Sequence, residues 1–241
     1  MSTNDYTLVS KTIFFPKQGI LAIGDLHLGY EKMLHNKGII LPFNQVEITK
    51  KEIYSIINCI EKDKIKKIIF LGDIKHNFGF EKSEEFDLNE LLEFLEKYVQ
   101  RKNIILIRGN HDKISLSDYG YKDCYIEGNI AFIHGDKLYR KILEKEIKII
   151  VMSHIHPAVV ISDGVKIKKE KFKCFLIGKF KGKKLVIIPS FFPLVHGSEI
   201  NENYKNKPGF SIITKKQMLN FRTYVVGKNK VYEFGRYNDL L

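Results

Sequence analysis

The segment NIILIRGNHD, residues 103–112, joins a short apolar run to a group of polar side chains. Residues 103–107 are almost all Ile and Leu, and a run of this length predicts a buried β-strand. Behind it the chain carries an amide, an imidazole and a carboxylate, on Asn110, His111 and Asp112. Because ligands collect at the carboxyl ends of strands in open α/β sheets, this segment predicts a strand that ends at a functional site.

Four other apolar runs end in the same way. They predict strands over residues 19–24, 66–72, 129–135 and 148–154. The polar side chains at their ends are Asp25, His27, Asp73, His134, His154 and His156. A glycine stands before several of these residues, where a tight turn brings the backbone close to a ligand. Five loops of this kind on one rim would form a single polar site.

Amphipathic stretches separate the strands in the first two thirds of the chain. Residues 44–62 and 83–100 have apolar side chains at helical spacing, and Asn44 followed by Glu47 is typical of a helix start. A third helix is predicted near residues 137–146. In the second helix these apolar residues are expected to face inward: Phe86, Leu91, Leu92, Leu95 and Val99.

The last third of the chain is rich in predicted strands. A hairpin is predicted over residues 171–190, and further strands over residues 209–214, 220–226 and 230–234. Alternating strands and helices followed by a β-rich tail favour an α/β protein with two sheets and flanking helices.

Length and charge limit the class of protein. The 241 residues suit one domain, with residues 1–157 as its α/β part and residues 158–241 as its β-rich part. The net charge of +12 suits an anionic partner such as nucleic acid, although lysine enrichment is also found in heat-adapted proteins. Residues 166–184 contain nine lysines, one glutamate and three phenylalanines. They predict either a basic ribbon on which bases stack or a hairpin whose lysines face water.

No membrane association is expected. No apolar run approaches the ~18 residues that a membrane helix needs, and the first residues show no signal-peptide pattern. The three cysteines form no C-x-x-C spacing, which indicates reduced thiols. We therefore expect a cytoplasmic protein.

The polar residue types at the strand ends indicate metal ions. Imidazole and carboxylate together suit Mn, Fe, Zn or Co ions. One carboxylate can bridge two ions, and two ions ~3.5–4 Å apart form the clamp used in phosphate-ester hydrolysis. A single histidine at such a place is usually a turn residue. Four histidines, two aspartates and an asparagine at strand ends are not explained in that way.

In this order, the blocks GDLH, GD, GNHD, HG and SHIH resemble the calcineurin-like metallophosphoesterase superfamily. The longer segments DLHLGYE, LGDIKH, SHIHPAVV and LVIIPSF resemble archaeal phosphoesterases related to the SbcD nucleases, and bacterial ligase-associated DNA damage response endonucleases. The resemblance implies a four-layer α-β-β-α sandwich of two mixed sheets flanked by helices. It also implies two divalent ions, with Mn²⁺ expected and Fe, Zn, Co or Ni as alternatives.

The resemblance also assigns a role to each matching residue. The implied ligands of the first ion are Asp25, His27 and His156. The implied ligands of the second ion are Asn110, His134 and His154, and Asp73 would bridge the two ions.

Four further residues are candidates for roles in catalysis. His111 would stand beside the scissile phosphate, and Asp112 would orient its ring or tune its pKa. His76 and Arg108 are candidate substrate contacts, with a turn residue and a surface residue as the respective alternatives.

The implied function is hydrolysis of phosphodiester bonds by a metal-bound hydroxide, with nucleic acid in DNA repair as the expected substrate. One alternative is a phosphoesterase for a cyclic nucleotide, a nucleotide or a phosphomonoester, and another is a non-catalytic scaffold. The related nucleases imply an ATPase or helicase partner, because the chain itself carries no Walker-type phosphate loop.

Overall fold

Two β-sheets lie face to face at the centre of the protein. The structure is a computed structural model, and it describes residues 3, 5–42, 44–79, 81–113, 120–162, 169–202, 210–228 and 230–241. Apolar side chains from both sheets are fully buried between them. Phe15 of one sheet, for example, meets Phe132 of the other edge to face, with ring centroids 5.7 Å apart.

The first sheet contains five strands in the order β1-β2-β3-β4-β5. Their bounds are Thr7–Val9, Thr12–Phe15, Ile20–Ile23, Lys67–Phe70 and Ile104–Leu106. The last three strands are parallel, with Ile23 opposite Phe70 and Phe70 opposite Leu106. This register brings the carboxyl ends of three predicted strands to one edge.

The second sheet has the order β12-β9-β10-β11-β8-β7-β6, and β13 and β14 extend it from β10. Its strands are β6 Tyr125–Glu127, β7 Ile130–Phe132, β8 Ile149–Met152, β9 Pro157–Ser162, β10 Lys169–Phe180, β11 Lys183–Ile187, β12 Ser198–Glu199, β13 Arg222–Val226 and β14 Val231–Arg236. Strands β7, β8 and β11 are parallel, with Phe132, Val151 and Val186 in register. The carboxyl ends of these strands therefore also share an edge.

Helices cover the outer face of the first sheet. Two of them, α2 Gln45–Ile60 and α3 Lys82–Glu96, bury apolar side chains against it, whereas the short α1 Tyr30–Asn36 has no buried residue. The predicted start of α2 is confirmed, because the Asn44 side chain accepts a hydrogen bond from the backbone N–H of Glu47. Phe86 of α3 was predicted to face inward and is 65% exposed. It stands two residues before the buried Leu88, and this offset places it on the opposite side of the helix.

Short helical pieces cover the outer face of the second sheet. Ile142, Met218 and Tyr237 belong to the apolar cluster there. Met218 lies in α4 Lys215–Met218, and the other two lie in 3₁₀ turns. The four-layer α-β-β-α sandwich of two mixed sheets is thus confirmed. The helix predicted near residues 137–146 is wrong, because only Arg140–Leu143 forms a single 3₁₀ turn.

Two predictions for the β-rich part have different outcomes. The hairpin is confirmed as β10 and β11, whose buried Phe175 and Phe180 pack in the apolar cores and are not available to stack on bases. The strand predicted over residues 209–214 is wrong in its described part, residues 210–214, which form bends. Ile212 donates its N–H to the carbonyl of Gly135, so the segment follows a loop instead of a neighbouring strand.

No helix in the described ranges is both long and apolar enough to cross a membrane.

Candidate metal centre

Loops from both sheets meet where the two shared edges lie side by side. Asp25, Asp73 and Asn110 follow strands of the first sheet, and His134 and His154 follow strands of the second. Distances between their side chains are short. His134 Nδ1 lies 3.6 Å from Asp25 Oδ1, and His134 Nε2 lies 3.5 Å from Asp73 Oδ2. Ligand-type atoms from distant parts of the sequence are therefore brought together.

One group of side chains consists of His27, Asp73 and His156, whose ligand atoms lie within 4.8 Å of one another. His27 Nε2 is 3.9 Å from Asp73 Oδ2. Asp25 adjoins this group, because its Oδ1 lies 3.4 Å from His156 Nε2. These four residues are the ones predicted to hold or bridge the first ion.

A second group consists of Asp73, His134 and His154, again with ligand atoms within 4.8 Å. His134 Nε2 lies 3.1 Å from Asn110 Oδ1 and 3.0 Å from His154 Nδ1. Asp73 belongs to both groups. Its Oδ1 accepts a 2.9 Å hydrogen bond from the backbone N–H of His111, and its Oδ2 is the oxygen near His27 and His134.

Backbone contacts orient the imidazole rings of the second group. His134 Nδ1 lies 2.8 Å from the carbonyl of Leu71, and His154 Nε2 contacts the carbonyl of Phe210. The other two nitrogens, His134 Nε2 and His154 Nδ1, face each other, and His134 Nε2 also faces Asp73 Oδ2. A fixed outer hydrogen bond of this kind is how proteins orient metal-binding histidines.

The residues present fit divalent cations. His27 Nδ1 is buried and has no hydrogen-bond partner in the part of the chain that the structure describes. Burial, with a contribution from His156, lowers the pKa of His27 to about 3, and burial, with a contribution from His134, lowers the pKa of His154 to about 4. Both rings are therefore neutral at pH 7, which is the form that binds metal. Imidazole, carboxylate and amide together suit first-row divalent ions.

Two carboxylates raise the pKa of the His134 ring. Burial lowers the pKa of His134, but Asp73 and Asp25 outweigh it and raise that pKa to about 9. Burial raises the pKa of Asp73, but His134 and His27 outweigh it and hold that pKa well below its usual range. The centre thus keeps a carboxylate ionised in a buried place.

Strained backbone is concentrated at the predicted ligands. In the described ranges eight residues other than glycine have a positive φ, and five of them are predicted ligands. These five, with φ between 46° and 64°, are Asp25, His27, Asp73, His154 and His156. The left-handed conformation costs about 1–2 kcal/mol for such residues, and strain of this kind clusters at functional sites.

Two glycines permit the close approach of the loops. A Cβ on Gly109 would lie 2.2 Å from Asp73 N and Oδ1, and a Cβ on Gly72 would lie 2.7 Å from His134 Nδ1. Gly72 also has a φ of +87°. Any larger residue at these positions would push the ligands apart.

His111 lies beside the two groups. Its ring centroid is 5.0 Å from that of His27, and its Nδ1 lies against the carbonyl of His76. Phe78 stacks on the ring at 4.2 Å. The half-buried His111 therefore has a fixed ring at the edge of the centre.

Asp112 occupies a different position from the predicted one. Its buried carboxylate accepts hydrogen bonds from the backbone N–H groups of Ile74, Lys75 and Gly109. Burial, with repulsion from Asp73, raises the pKa of this carboxyl to about 6. The prediction that Asp112 orients the His111 ring is corrected, because Asp112 instead ties two loops of the centre together.

The two predicted substrate contacts also differ in position. His76 reaches the centre, since its ligand atom lies within 4.8 Å of those of His27 and His111. Arg108 is engaged in its own loop. Its Nη1 donates to the carbonyl of Asp112, and its guanidinium lies over the Tyr121 ring at 5.3 Å.

Sequence reasoning missed several residues that support the centre. Ser153 is buried, and its Oγ lies 3.0 Å from Asp25 Oδ1. Ser190 donates its hydroxyl to the carbonyl of Asp25, and Glu84 accepts hydrogen bonds from the loop that carries His76. The signal for Ser190 is its position at the end of the predicted hairpin. Glu84 looked like an ordinary helix residue.

Comparisons with known proteins agree with this geometry. The family model of the calcineurin-like phosphoesterases matches residues 19–213, more than half of the chain. The nuclease MPE of Pseudomonas putida has a similar fold, with a TM-score of 0.58 and 16% sequence identity over 95% of this chain and 100% of that chain.

Two other solved structures align less closely. A predicted phosphoesterase from Streptococcus pneumoniae TIGR4 has 13% identity and a TM-score of 0.37 over 95% of this chain and 100% of that chain. A single mutant of Vps29 from Entamoeba histolytica has 14% identity and a TM-score of 0.39 over 90% of this chain and 99% of that chain. The family match covers most of the chain, and the two-sheet fold agrees with it. Together they establish that this chain belongs to the calcineurin-like phosphoesterases, a family of metal-dependent phosphate-ester hydrolases.

Proposed function

We propose that the chain hydrolyses phosphodiester bonds in nucleic acid and uses two divalent cations held by the two groups of side chains. The observation that carries this proposal is the position of Asp73, which belongs to both groups and keeps Oδ2 within 3.9 Å of His27 Nε2 and 3.5 Å of His134 Nε2. A carboxylate in that position can bridge two cations, which is the arrangement that a two-metal clamp uses.

In this proposal Asp25, His27 and His156 hold one cation, and Asn110, His134 and His154 hold the other. When bound, the cations lower the pKa of a water molecule and neutralise charge on the phosphate oxygens. The His111 backbone N–H holds Asp73 in place. The His111 side chain lies at the edge of the centre, where it can donate a proton to a leaving oxygen, a contribution of about 10²–10⁴ in rate.

Exposed aromatic rings beside the centre support nucleic acid as the substrate. Phe78 is 54% exposed and stacks on His111, and Phe210 is 50% exposed with its ring 4.5 Å from that of His154. Lys113 Nζ lies 5.7 Å from the Phe78 ring. Aromatic rings next to basic side chains are the usual platform for single strands, because bases stack on them without sequence preference.

Other support for this substrate is less direct. The net charge of +12 suits a phosphate backbone, and the similar fold of the Pseudomonas putida protein belongs to a nuclease. We extend the proposal to Mn²⁺ as the metal, to DNA repair as the process and to the cytoplasm as the compartment. An ATPase or helicase partner is a proposal that rests on the sequence resemblance.

A phosphoesterase for a nucleotide-sized substrate is the second candidate. A cavity of about 150 Å³ adjoins His27 and His156, and its volume favours a small organic group next to the phosphate.

The test is hydrolysis by metal-stripped protein to which Mn²⁺ is returned, with single-stranded DNA, bis-p-nitrophenyl phosphate and p-nitrophenyl phosphate as substrates. We expect cleavage of DNA and of the diester, and poor cleavage of the monoester. Asp73→Ala should lose both ions and all activity, whereas the control Asp239→Ala, an exposed residue near the end of the chain, should retain both.

Three results would change the proposal. Two ions retained in Asp73→Ala would refute the bridging role. Intact DNA alongside hydrolysed small esters would favour the second candidate. Metal loss in His111→Ala would show that His111 acts on the ions, because we expect that variant to keep its metal and to lose most activity.

A further inference from the structure

A small cavity opens beside the first group of side chains and has a wall of aromatic rings. It has a volume of about 150 Å³ and is lined by His27, Tyr30, His76, His156, Ser190 and Phe192, among others. Two of these, His27 and His156, are proposed metal ligands. A phosphate held by the first cation would therefore place one of its ester groups at the mouth of this cavity.

The aromatic rings surround the cavity in an ordered way. The Tyr30 ring meets the Phe192 ring at 4.9 Å and the His76 ring at 4.8 Å, both edge to face. The Phe192 ring in turn lies 5.7 Å from the His27 ring. Rings in this arrangement favour another flat ring, which gains offset or edge-to-face contacts with several of them.

The wall is fixed to the same backbone as a proposed metal ligand. Phe192 N donates to the carbonyl of Asp25 at 3.1 Å, and Ser190 Oγ donates to the same carbonyl at 3.0 Å. Lys173 Nζ donates to the carbonyls of Ser190 and Phe192, and Lys11 Nζ donates to the carbonyl of Phe191 at 2.9 Å. The position of the Phe192 ring relative to Asp25 is therefore built into the fold.

The adjoining part of the lining, formed by Tyr30 and His76, is also supported. Tyr30 begins α1 directly after Gly29, whose φ is +88°, and a Cβ there would lie 2.4 Å from Glu84 Cγ. The same Glu84 accepts a 3.1 Å hydrogen bond from His76 N. The buried Glu84 side chain thus packs against Gly29, the residue before Tyr30, and accepts a hydrogen bond from the backbone of His76.

The chemistry of the lining identifies the occupant. In the part of the chain that the structure describes, none of the lining side chains is Asp, Glu, Lys or Arg, so the cavity does not suit a second phosphate. A cavity of about 150 Å³ is the size that accepts one benzene ring. This volume suits a six-membered ring, and the fused rings of a purine would extend beyond it into the open mouth.

We infer that this cavity is a nucleobase subsite that receives a single-ring pyrimidine base next to the phosphate at the metal centre. This inference rests on the proposed function, because it names the part of the substrate that the cavity recognises. Tyr30 and Phe192 are the specificity-determining residues, and neither touches the reacting atoms.

The test is calorimetric binding to the full chain in the presence of Mn²⁺, with thymidine 5′-monophosphate, deoxyadenosine 5′-monophosphate and 2-deoxyribose 5-phosphate as ligands. We expect the thymidine nucleotide to bind at least about tenfold more tightly than the sugar phosphate, because stacking of one base on an aromatic ring typically raises affinity by that factor. We expect the adenine nucleotide to bind more weakly than the thymidine nucleotide.

Variants locate the effect. Tyr30→Leu and Phe192→Leu should each remove most of the preference for thymidine and leave binding of the sugar phosphate within about twofold. Matched controls are Tyr54→Leu and Phe94→Leu, whose rings pack near Tyr98 away from the cavity. Because Tyr30 is only partly buried, its variant tests the subsite even if Phe192→Leu does not fold.

Two outcomes would overturn the inference: equal affinity for all three ligands, or variants that weaken all three to the same extent. Cleavage of single-stranded DNA, measured in parallel, separates this inference from the proposed function. Preferred binding of the thymidine nucleotide without DNA cleavage would uphold the subsite and reject the nuclease proposal.

Discussion

Ser153 shows how one hydroxyl group can fix a metal ligand. The side chain is fully buried, and its Oγ lies 3.0 Å from Asp25 Oδ1 and 2.8 Å from the carbonyl of Leu71. The backbone N–H of His154 lies 3.3 Å from the same carboxylate. Gly24 and Ser153 pack so closely that a larger residue at position 24 would not fit, since a Cβ on Gly24 would stand 2.7 Å from Ser153 Cβ. Asp25 is therefore held by a hydroxyl and an amide before any cation binds.

Ser153→Ala tests this support. The change keeps Cβ and removes the hydroxyl, so the carboxylate of Asp25 loses one of its fixed contacts. We expect Mn²⁺ affinity at the first group to fall about 10–100-fold, as is typical when an outer partner of a ligand is lost. Affinity at the second group should fall less, because Ser153 Oγ lies 3.3 Å from His134 Nδ1 but 3.0 Å from the Asp25 carboxylate. The free energy of unfolding should fall by about 1 kcal/mol. Calorimetric titration with Mn²⁺ measures both sites.

The exposed Ser55 of α2 provides the control, because Ser55→Ala removes a hydroxyl that is far from Asp25 in the fold. Identical Mn²⁺ titrations for Ser153→Ala and Ser55→Ala would contradict the role of Ser153.

Residue types could be predicted from the sequence, but side-chain directions could not. The order of the blocks predicted which aspartates and histidines meet, since each directly follows an apolar strand. The direction of Asp112 depends on Ile74 and Lys75, which are 38 and 37 residues away and adjoin it only after β4 and β5 pair. Left-handed φ values at non-glycine ligands are likewise imposed by the surrounding fold and have no signal in residue type.

At the scale of an element, the loop of residues 73–79 carries Asp73, His76 and Phe78, and the side chain of Glu84 supports it. Glu84 Oε1 accepts hydrogen bonds from His76 N at 3.1 Å and from Asn77 N at 2.8 Å. The fully buried Lys75 donates to the carbonyls of Asn77 and Gly79. Burial raises the pKa of Glu84 and lowers the pKa of Lys75. The buried side chains of Lys75 and Glu84 thus fix the loop through hydrogen bonds to its backbone.

Glu84→Ala should loosen this loop without emptying the metal centre. Three hydrogen bonds to Oε1 are lost, which at about 0.5–1.5 kcal/mol each lowers the free energy of unfolding by about 1.5–4.5 kcal/mol. Both ions should remain, because Asp73 is held separately by the N–H of His111. We expect KM for a phosphodiester to rise, since His76 and Phe78 lose their fixed positions. Urea unfolding, metal content and steady-state kinetics measure the three effects.

The pH dependence of stability provides a second readout of Glu84. A carboxyl whose pKa is raised in the folded state binds more protons when folded, so stability falls as pH rises from its unfolded pKa of about 4.5 to the raised value. Glu84→Gln cannot titrate and should lack this contribution. Parallel stability curves for the wild type and Glu84→Gln above pH 4.5 would contradict the raised pKa.

Elements with strong patterns were predicted better than those with weak ones. α2 and α3 have long amphipathic repeats, and their predicted positions are confirmed within a few residues. The stretch near residues 137–146 is short, and packing of Ile142 on the second sheet shortened it to one 3₁₀ turn. The segment before α4 has an apolar run like a strand, but Thr214 forms a capping box with Gln217 and starts a helix instead.

At the scale of the whole molecule, the metal centre joins the two sheets. Asp25, Asp73 and Asn110 come from loops of the first sheet, and His134 and His154 come from loops of the second. Each group of side chains therefore includes residues from both sheets. A cation bound to either group links the sheets at the edge where their loops meet, and binding energy becomes folding energy.

Mn²⁺ should therefore stabilise the whole fold through Asp73. A ligand at 100 times its Kd stabilises by about 2.7 kcal/mol, and for a chain of this size 1 kcal/mol shifts Tm by about 2–4 °C. We expect a rise in Tm of about 5–11 °C for metal-stripped wild type when Mn²⁺ is added, and almost none for Asp73→Ala. The comparison is the Mn²⁺-induced shift within each variant, so a change in the starting Tm of Asp73→Ala does not affect it.

Asp239→Ala should show the wild-type shift, because Asp239 lies in the last 3₁₀ turn, outside both groups. An equal shift in Asp73→Ala would mean that Mn²⁺ binds elsewhere and that the two groups do not share one carboxylate. Scanning calorimetry at matched free Mn²⁺ concentrations decides between these outcomes.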